Sequence, residues 1–146
     1  MLLEDERAHE CAIRNAYADR LSSLRRDERL IGVEPTFEGT SLRADMKTVD
    51  SSNTLRIWEF KIWADHRSLG QVLTYLAMER KNSPGRKVRA VLAAFEFAPE
   101  ILEANEILNL GIEMVPIPPK LRLAGFVPAV EVPAAEMPII PAIPET

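Results

Sequence analysis

Cysteine and histidine are nearly absent from the chain, which has one Cys, Cys11, and two His, His9 and His66. One thiol cannot close an intramolecular disulfide, and without a Cys/His cluster there is no zinc framework. The expected setting is therefore a reducing cytoplasm. Long apolar runs are missing too: no stretch reaches the roughly 18 uninterrupted apolar residues that mark a membrane span. The start, MLLEDERAHE, turns acidic after two leucines, so neither a secretion signal nor a membrane partner is expected. A surplus of positive charge is also lacking. Lys plus Arg total 18 against 22 Asp plus Glu, a formal charge of -4, which removes the simplest argument for a nucleic-acid partner, a globally basic surface. What remains is 146 residues, 47% hydrophobic and 27% charged, ordinary figures for one soluble domain with a real core and no internal repeat.

Proline is unevenly spread. Pro116, Pro118, Pro119, Pro128, Pro133, Pro138, Pro141 and Pro144 all fall after residue 115. Proline fixes φ and removes an amide donor, so a run such as VPAVEVPAAEMPIIPAIPET holds neither a regular helix nor a central strand. Its prolines are separated by Val, Ile and Met, so residues 116–146 read as an extended apolar tail that packs on its own domain or on a partner, a second copy of the chain included.

Residues 1–115 read as α/β code. Ile13, Tyr17, Leu21 and Leu24 recur at helical spacing in a stretch from about Glu4 to Glu28 without Pro or Gly. Leu30–Phe37, Leu42–Val49 and Thr54–Ile62 read as a three-stranded meander, separated by Glu38-Gly39 and by Asp50-Ser51-Ser52-Asn53. Asp65 caps a helix over His66–Lys81, and Asn82-Ser83-Pro84-Gly85 stops it. A buried strand over Arg86–Phe97, a helix opened by Pro99 and closed by Gly111, and a short strand over Ile112–Val115 complete the order α-β-β-β-α-β-α-β. A meander followed by crossover helices implies a mixed sheet with helices on both faces.

In Thr-Leu-Arg-Ile-Trp-Glu-Phe-Lys-Ile, alternation puts Glu59 and Lys61 on one face and Phe60 on the other. Antiparallel pairing through the Asp50–Asn53 turn brings Asp45 opposite a residue between Arg56 and Glu59. Two carboxylates with a lysine beside them suit metal-assisted phosphodiester hydrolysis. Hard oxygen ligands hold Mg2+ or Mn2+, the metal lowers the pKa of its water, and an ammonium neutralises charge on phosphate. By spacing alone, a Glu-x-Lys on a strand is common, and an ordinary cross-strand ion pair is the better explanation of it. Gln71 and Tyr75 lie four apart on the following helix, off its Leu69-Val72-Leu73-Leu76 face.

In this order the Arg-Ala-Asp-Met strand, the Ile-Trp-Glu-Phe-Lys-Ile strand and Gln71-x-x-x-Tyr75 resemble the successive motifs of the PD-(D/E)XK nuclease superfamily, the last as in its RecB-like branches. The resemblance covers residues 4–115. It implies a restriction-endonuclease-like αβββαβ core and a metal-dependent deoxyribonuclease. It also implies that Asp45, Glu59 and the Phe60 carbonyl hold Mg2+ or Mn2+, that Lys61 is the catalytic lysine, and that Gln71 and Tyr75 position the scissile strand. A first-helix glutamate often joins the metal in this superfamily. Glu10 is the choice here and Glu6 the alternate, and Ala44 stands where a proline often precedes the first aspartate.

Arg80, Lys81, Arg86, Lys87 and Arg89 form the one dense basic cluster. They are read either as solvated helix-end cations or, with Arg43, Lys47 and Arg67, as a phosphate-contacting rim for single-stranded, duplex or branched DNA. Trp58 belongs to the core, and Trp63, at the strand end, suits core or rim packing better than base stacking. The competing reading is a nuclease-fold protein that no longer cuts and serves as a nucleic-acid-binding or protein-interaction subunit. The tail changes the net charge little: Lys120 and Arg122 stand against Glu131, Glu136 and Glu145.

Overall fold

A computed structural model of the chain describes residues 3–123. The expectation for the proline-rich tail beyond Leu123 lies outside them. The elements are α1 (Leu3–Asp19), α2 (Leu21–Leu24), β1 (Glu28–Val33), β2 (Met46–Asp50), β3 (Leu55–Ala64), α3 (His66–Asn82), β4 (Val88–Phe97), α4 (Pro99–Ile107) and β5 (Glu113–Pro116), closed by a 3-10 turn at Pro119–Leu123. They build one mixed sheet in the order β1-β2-β3-β4-β5, antiparallel from β1 to β3 and parallel from β3 to β5. The expected αβββαβ core is this architecture.

Alternation along β3 and β4 divides the core into two layers. Trp58, Phe60, Val91 and Ala93 face α1, where Ile13, Tyr17 and Leu21 meet them together with Ile117 and Leu121. Leu55, Ile57, Ala90, Leu92 and Ala94 face α3 and α4, against Val72, Tyr75, Leu76 and Ile101. Near-continuous burial along both strands is the signature of a sheet covered on both faces. Asp65 starts α3 as expected: its carboxylate accepts the amides of Arg67 and Ser68, and the Ser68 hydroxyl returns a contact to the Asp65 amide. Among the described residues no helix is long and apolar enough to cross a membrane.

Two expectations shift. The first helix does not run to Glu28: it stops at Asp19, a short α2 follows, and Glu28 already belongs to β1. Arg25 explains the change. It sits over the Trp58 ring at 5.0 Å, donates to Glu28 at 2.8 Å and to Glu113 at 3.0 Å, and these contacts need the chain turned toward the sheet. The first two strands are also shorter than their hydrophobic patterns. Between them residues 34–45 make an excursion outside the ladder, closed by the Glu34 amide on the Asp45 carbonyl, the Ala44 amide on the Pro35 carbonyl and an isolated Thr36–Arg43 bridge, because Phe37 leaves the sheet to stack on Tyr75 at 5.6 Å. Tertiary contacts override strand propensity here.

Glu113 ties the β5 edge to this layer, accepting from Arg25 at 3.0 Å, Arg56 at 3.0 Å and Arg89 at 2.7 Å. Despite the opposing effect of burial, the Arg25 and Arg56 guanidinium groups hold its carboxyl below the usual glutamate range. The stabilisation is therefore present above the ordinary glutamate value and lost as pH falls through the lowered one. Glu113→Gln is expected to cost about 2 kcal/mol at neutral pH in urea denaturation, with the difference from the parent shrinking on acidification.

Candidate active site

β2 is shorter than its neighbour, and the consequence is local. Its first residue, Met46, pairs with Trp58, so β3 continues from Glu59 to Ala64 with no strand on that side. The amides of Phe60 and Ile62 face the gap and need acceptors. Side-chain carboxylates supply them. Asp45, just before β2, donates its own amide to the Trp58 carbonyl at 3.0 Å and accepts the Phe60 amide on Oδ2 at 2.7 Å. Glu10, from α1, accepts the Ile62 amide on Oε2 at 3.2 Å.

Glu59 and Lys61 project from β3 toward the α3 face. Glu59 is 6% exposed. Its Oε2 lies 3.5 Å from Lys61 Nζ, while Oε1 is buried with no hydrogen-bond partner among the described residues. Burial, then the nearby Asp45 charge, push the Glu59 carboxyl up to about 8 against the pull of Lys61, with Glu10 adding to the rise. Burial raises Asp45 as well, opposed by the Phe60 amide and by Arg14, Lys61 and Arg7. Glu10 is raised by burial, opposed by Lys61 and the Ile62 amide. Burial and the Glu59 and Asp45 charges push the Tyr75 hydroxyl up to about 12. Glu10, Asp45, Glu59 and Tyr75 thus share one electrostatic neighbourhood around Lys61.

Among the described residues no three Asp, Glu, His or Cys side chains are already gathered as a metal cage. The donor chemistry nevertheless fits a hard divalent cation. A buried carboxylate oxygen without a partner, beside a second carboxylate that resists its ionisation, is a place where positive charge is favoured. Asp45 and Glu59 are the residues that fit it best, with Glu10 and the Phe60 main chain on the same open side of β3.

Solved structures share this arrangement of strands and helices. A repair endonuclease from Pyrococcus abyssi superposes with a TM-score of 0.62 at 20% identity, over 80% of this chain and 47% of its own. EndoMS in a complex with double-stranded DNA gives 0.62 at 16% identity, over 81% and 47%. EndoMS in its apo form gives 0.55 at 19% identity, over 70% and 45%. The fold is restriction-endonuclease-like. The chain spans about half the length of those proteins. No protein-family model and no curated protein matches the sequence.

Two hollows open on this endonuclease-like core. One, about 380 Å³, is walled by Glu6, Glu10, Lys61, Arg67 and Gln71, with Trp63 at its side. The other, about 440 Å³, is bounded by Thr36, Thr40, Leu42, Arg43 and Tyr75. Arg7 of α1 lines both. Asp45, Glu59, Lys61, Glu10, the Phe60 main chain, Gln71, Tyr75, Arg43 and Arg67 are therefore neighbours of one region. Arg43 also stands 3.7 Å from Glu34.

Other sequence candidates lie elsewhere. Lys47 turns to α3 and pairs with the buried Glu79 at 3.1 Å. Arg80, Lys81, Arg86 and Lys87 surround the far end of α3, eleven residues or about 16 Å along the helix from Gln71 to Asn82. The arginines there are engaged locally, Arg80 with the Val88 carbonyl at 3.1 Å and Arg86 with the Asn53 side chain at 2.7 Å. Arg89 donates to Glu113.

Arg7 and Arg14 are the residues that sequence reasoning passed over. Arg14 is 4% exposed and donates to Glu34 at 3.2 Å and to the Asp45 carbonyl at 3.3 Å, fixing the main chain at Asp45. The available signal was helical spacing, since Arg7 and Arg14 stand three before and four after Glu10 and so share its face.

Proposed function

We propose that this chain is a nuclease of the PD-(D/E)XK type, RecB-like in its Gln71-Tyr75 pair, that hydrolyses DNA phosphodiester bonds with Mg2+ or Mn2+. The observation that carries the reading is the bare, buried Glu59 Oε1 beside Asp45 and Lys61 on an endonuclease-like fold. Asp45 and Glu59 would hold the cation, with the Phe60 carbonyl and Glu10 as further oxygen donors. A bound divalent ion supplies a water of lowered pKa and neutralises charge developing on the phosphate. Lys61 keeps an ammonium beside Glu59, where it orients the attacking water and stabilises negative charge on the phosphate oxygens. Gln71 and Tyr75 position the strand, and Arg7, Arg43 and Arg67 hold flanking phosphates. One neighbour named as a repair endonuclease and another, EndoMS, in a complex with double-stranded DNA support DNA as the substrate.

Incubation of the full chain with single-stranded, duplex and branched DNA tests the reading. Cleavage is expected with Mg2+ or Mn2+ and is expected to vanish with chelator; cleavage that survives chelation refutes it. A second reading, a non-cutting DNA-binding subunit, is favoured by the lack of a ready-made three-residue metal group among the described residues. Calorimetric titration with Mn2+ separates the two. The nuclease reading expects binding that Asp45→Asn weakens at least tenfold, and no binding by the folded parent chain supports the non-cutting subunit.

A further inference from the structure

Trp63 is 48% exposed, an unusual position for an indole in a chain whose other tryptophan, Trp58, is fully buried. A solitary exposed aromatic on a convex surface needs no explanation. Trp63 stands instead on the wall of the hollow that holds Lys61 and Gln71. It follows Lys61 by two residues on the same strand, about 7 Å away, so both side chains leave the same face. Arg7 and Arg67 line that hollow with it. Among the described residues, the side chains of Trp63, Arg67 and Gln71 accept or donate no hydrogen bond to the rest of the chain. The hollow thus offers one flat apolar surface, two cations and an amide within a nucleotide's reach of the reacting lysine, with the carboxylates of Glu6, Glu10 and Asp65 also on its lining.

Resting on the nuclease reading, we infer that Trp63 forms a stacking subsite for an unpaired nucleobase next to the scissile phosphate, with Arg67 and Arg7 on the adjoining phosphates. An indole gives stacking area to any base, and guanidinium groups beside it neutralise the backbone that carries the base. In an intact duplex both faces of a base are already covered by its neighbours. The subsite therefore selects a single strand, or a base displaced from its helix, over paired DNA. Sequence preference is not expected, because every base has a π-face. The bland alternative, rim packing, leaves the concave setting and the flanking cations without a role.

The test uses the full chain carrying Lys61→Ala with Mg2+, so that binding is read without cleavage, against a short labelled oligothymidylate and a blunt duplex of equal length. Adding Trp63→Ala is expected to weaken the single strand about tenfold or more and the duplex less than about twofold. Trp63→Phe should recover most of the loss, because it keeps an aromatic face. Indole fluorescence should be quenched by the single strand in the chain retaining Trp63 and unchanged in the Trp63→Phe variant, whose remaining Trp58 is buried. Equal losses on both DNAs, or no loss and no quenching, overturn the subsite. Cleavage by the chain with intact Lys61, measured in parallel, judges the nuclease reading separately. Selective Trp63 dependence without cleavage keeps the subsite and refutes hydrolysis, whereas cleavage without selectivity keeps hydrolysis and refutes the subsite.

Discussion

Lys61→Ala is expected to lower the single-turnover rate of DNA cleavage by roughly 10²- to 10³-fold while the far-ultraviolet spectrum and urea midpoint stay close to the parent's. The size follows from what is removed. Lys61 carries the positive charge 3.5 Å from Glu59 Oε2, and it is also a cation felt by Asp45 and Glu10. A charge that meets the phosphate only as negative charge develops contributes to the rate rather than to ground-state binding, so DNA affinity should change much less than the rate. Fold is insulated because the Lys61 side chain is partly solvated, whereas the layer beneath it rests on Ile57, Leu92 and Ala94, all buried. Asp45→Asn should match or exceed the loss. The double variant should cost far less than the two losses combined, since residues serving one phosphate act as a unit. Fully additive losses would show that Lys61 and Asp45 act independently, and cleavage at the parental rate in Lys61→Ala would remove Lys61 from the mechanism.

The part of this site that could be read from sequence is the part fixed by short-range geometry. The Asp50–Thr54 turn is closed by the Asp50 carboxylate, which accepts the Ser52 and Thr54 amides at 2.8 and 3.0 Å. So tight a turn leaves little freedom of register, and Met46 meets Trp58, which sets Asp45 beside Glu59 at the end of the expected window. Period-two alternation gave Glu59 and Lys61 a common face for the same local reason. What sequence did not carry depends on partners distant in the chain. The early end of β1 requires Phe37 to find Tyr75, the end of α1 requires Arg25 to find Trp58, and Arg14 matters only because Asp45 arrives next to it. Net charge misled in the same way. A total of -4 describes no one place, whereas Glu10, Asp45 and Glu59 gather carboxyl groups at the end of β3 and Arg7, Arg43 and Arg67 surround the hollows beside it.

Glu59→Gln is expected to make the metal-free protein more stable at pH 8 and, in the same molecule, to abolish metal-dependent cleavage. The sign comes from the orphaned oxygen. In the fold the Glu59 carboxyl is pushed from 4.5 up to about 8, first by burial and then by Asp45, so the folded state holds its proton more tightly than the unfolded state does. That proton-linked stability is fully present below about 4.5 and is lost as pH rises through about 8. An amide of the same shape never ionises and escapes the loss. The full difference bounds the gain at about 5 kcal/mol. Relaxation and nearby cations lower the expected gain to about 1–3 kcal/mol, a rise of several degrees in Tm for a domain of this size. At pH 5 the two proteins should melt close together. Manganese should reverse the order at pH 8, because a ligand that binds only the folded state stabilises in proportion to its affinity, and an amide in place of the Glu59 carboxylate weakens the cation's hold. Scanning calorimetry at both pH values, with chelator and then with Mn2+, reads all four conditions. A Glu59→Gln protein less stable than its parent at pH 8, or equal stabilisation of both by Mn2+, would show that the buried carboxylate is structural and that the cation, if bound, is held elsewhere.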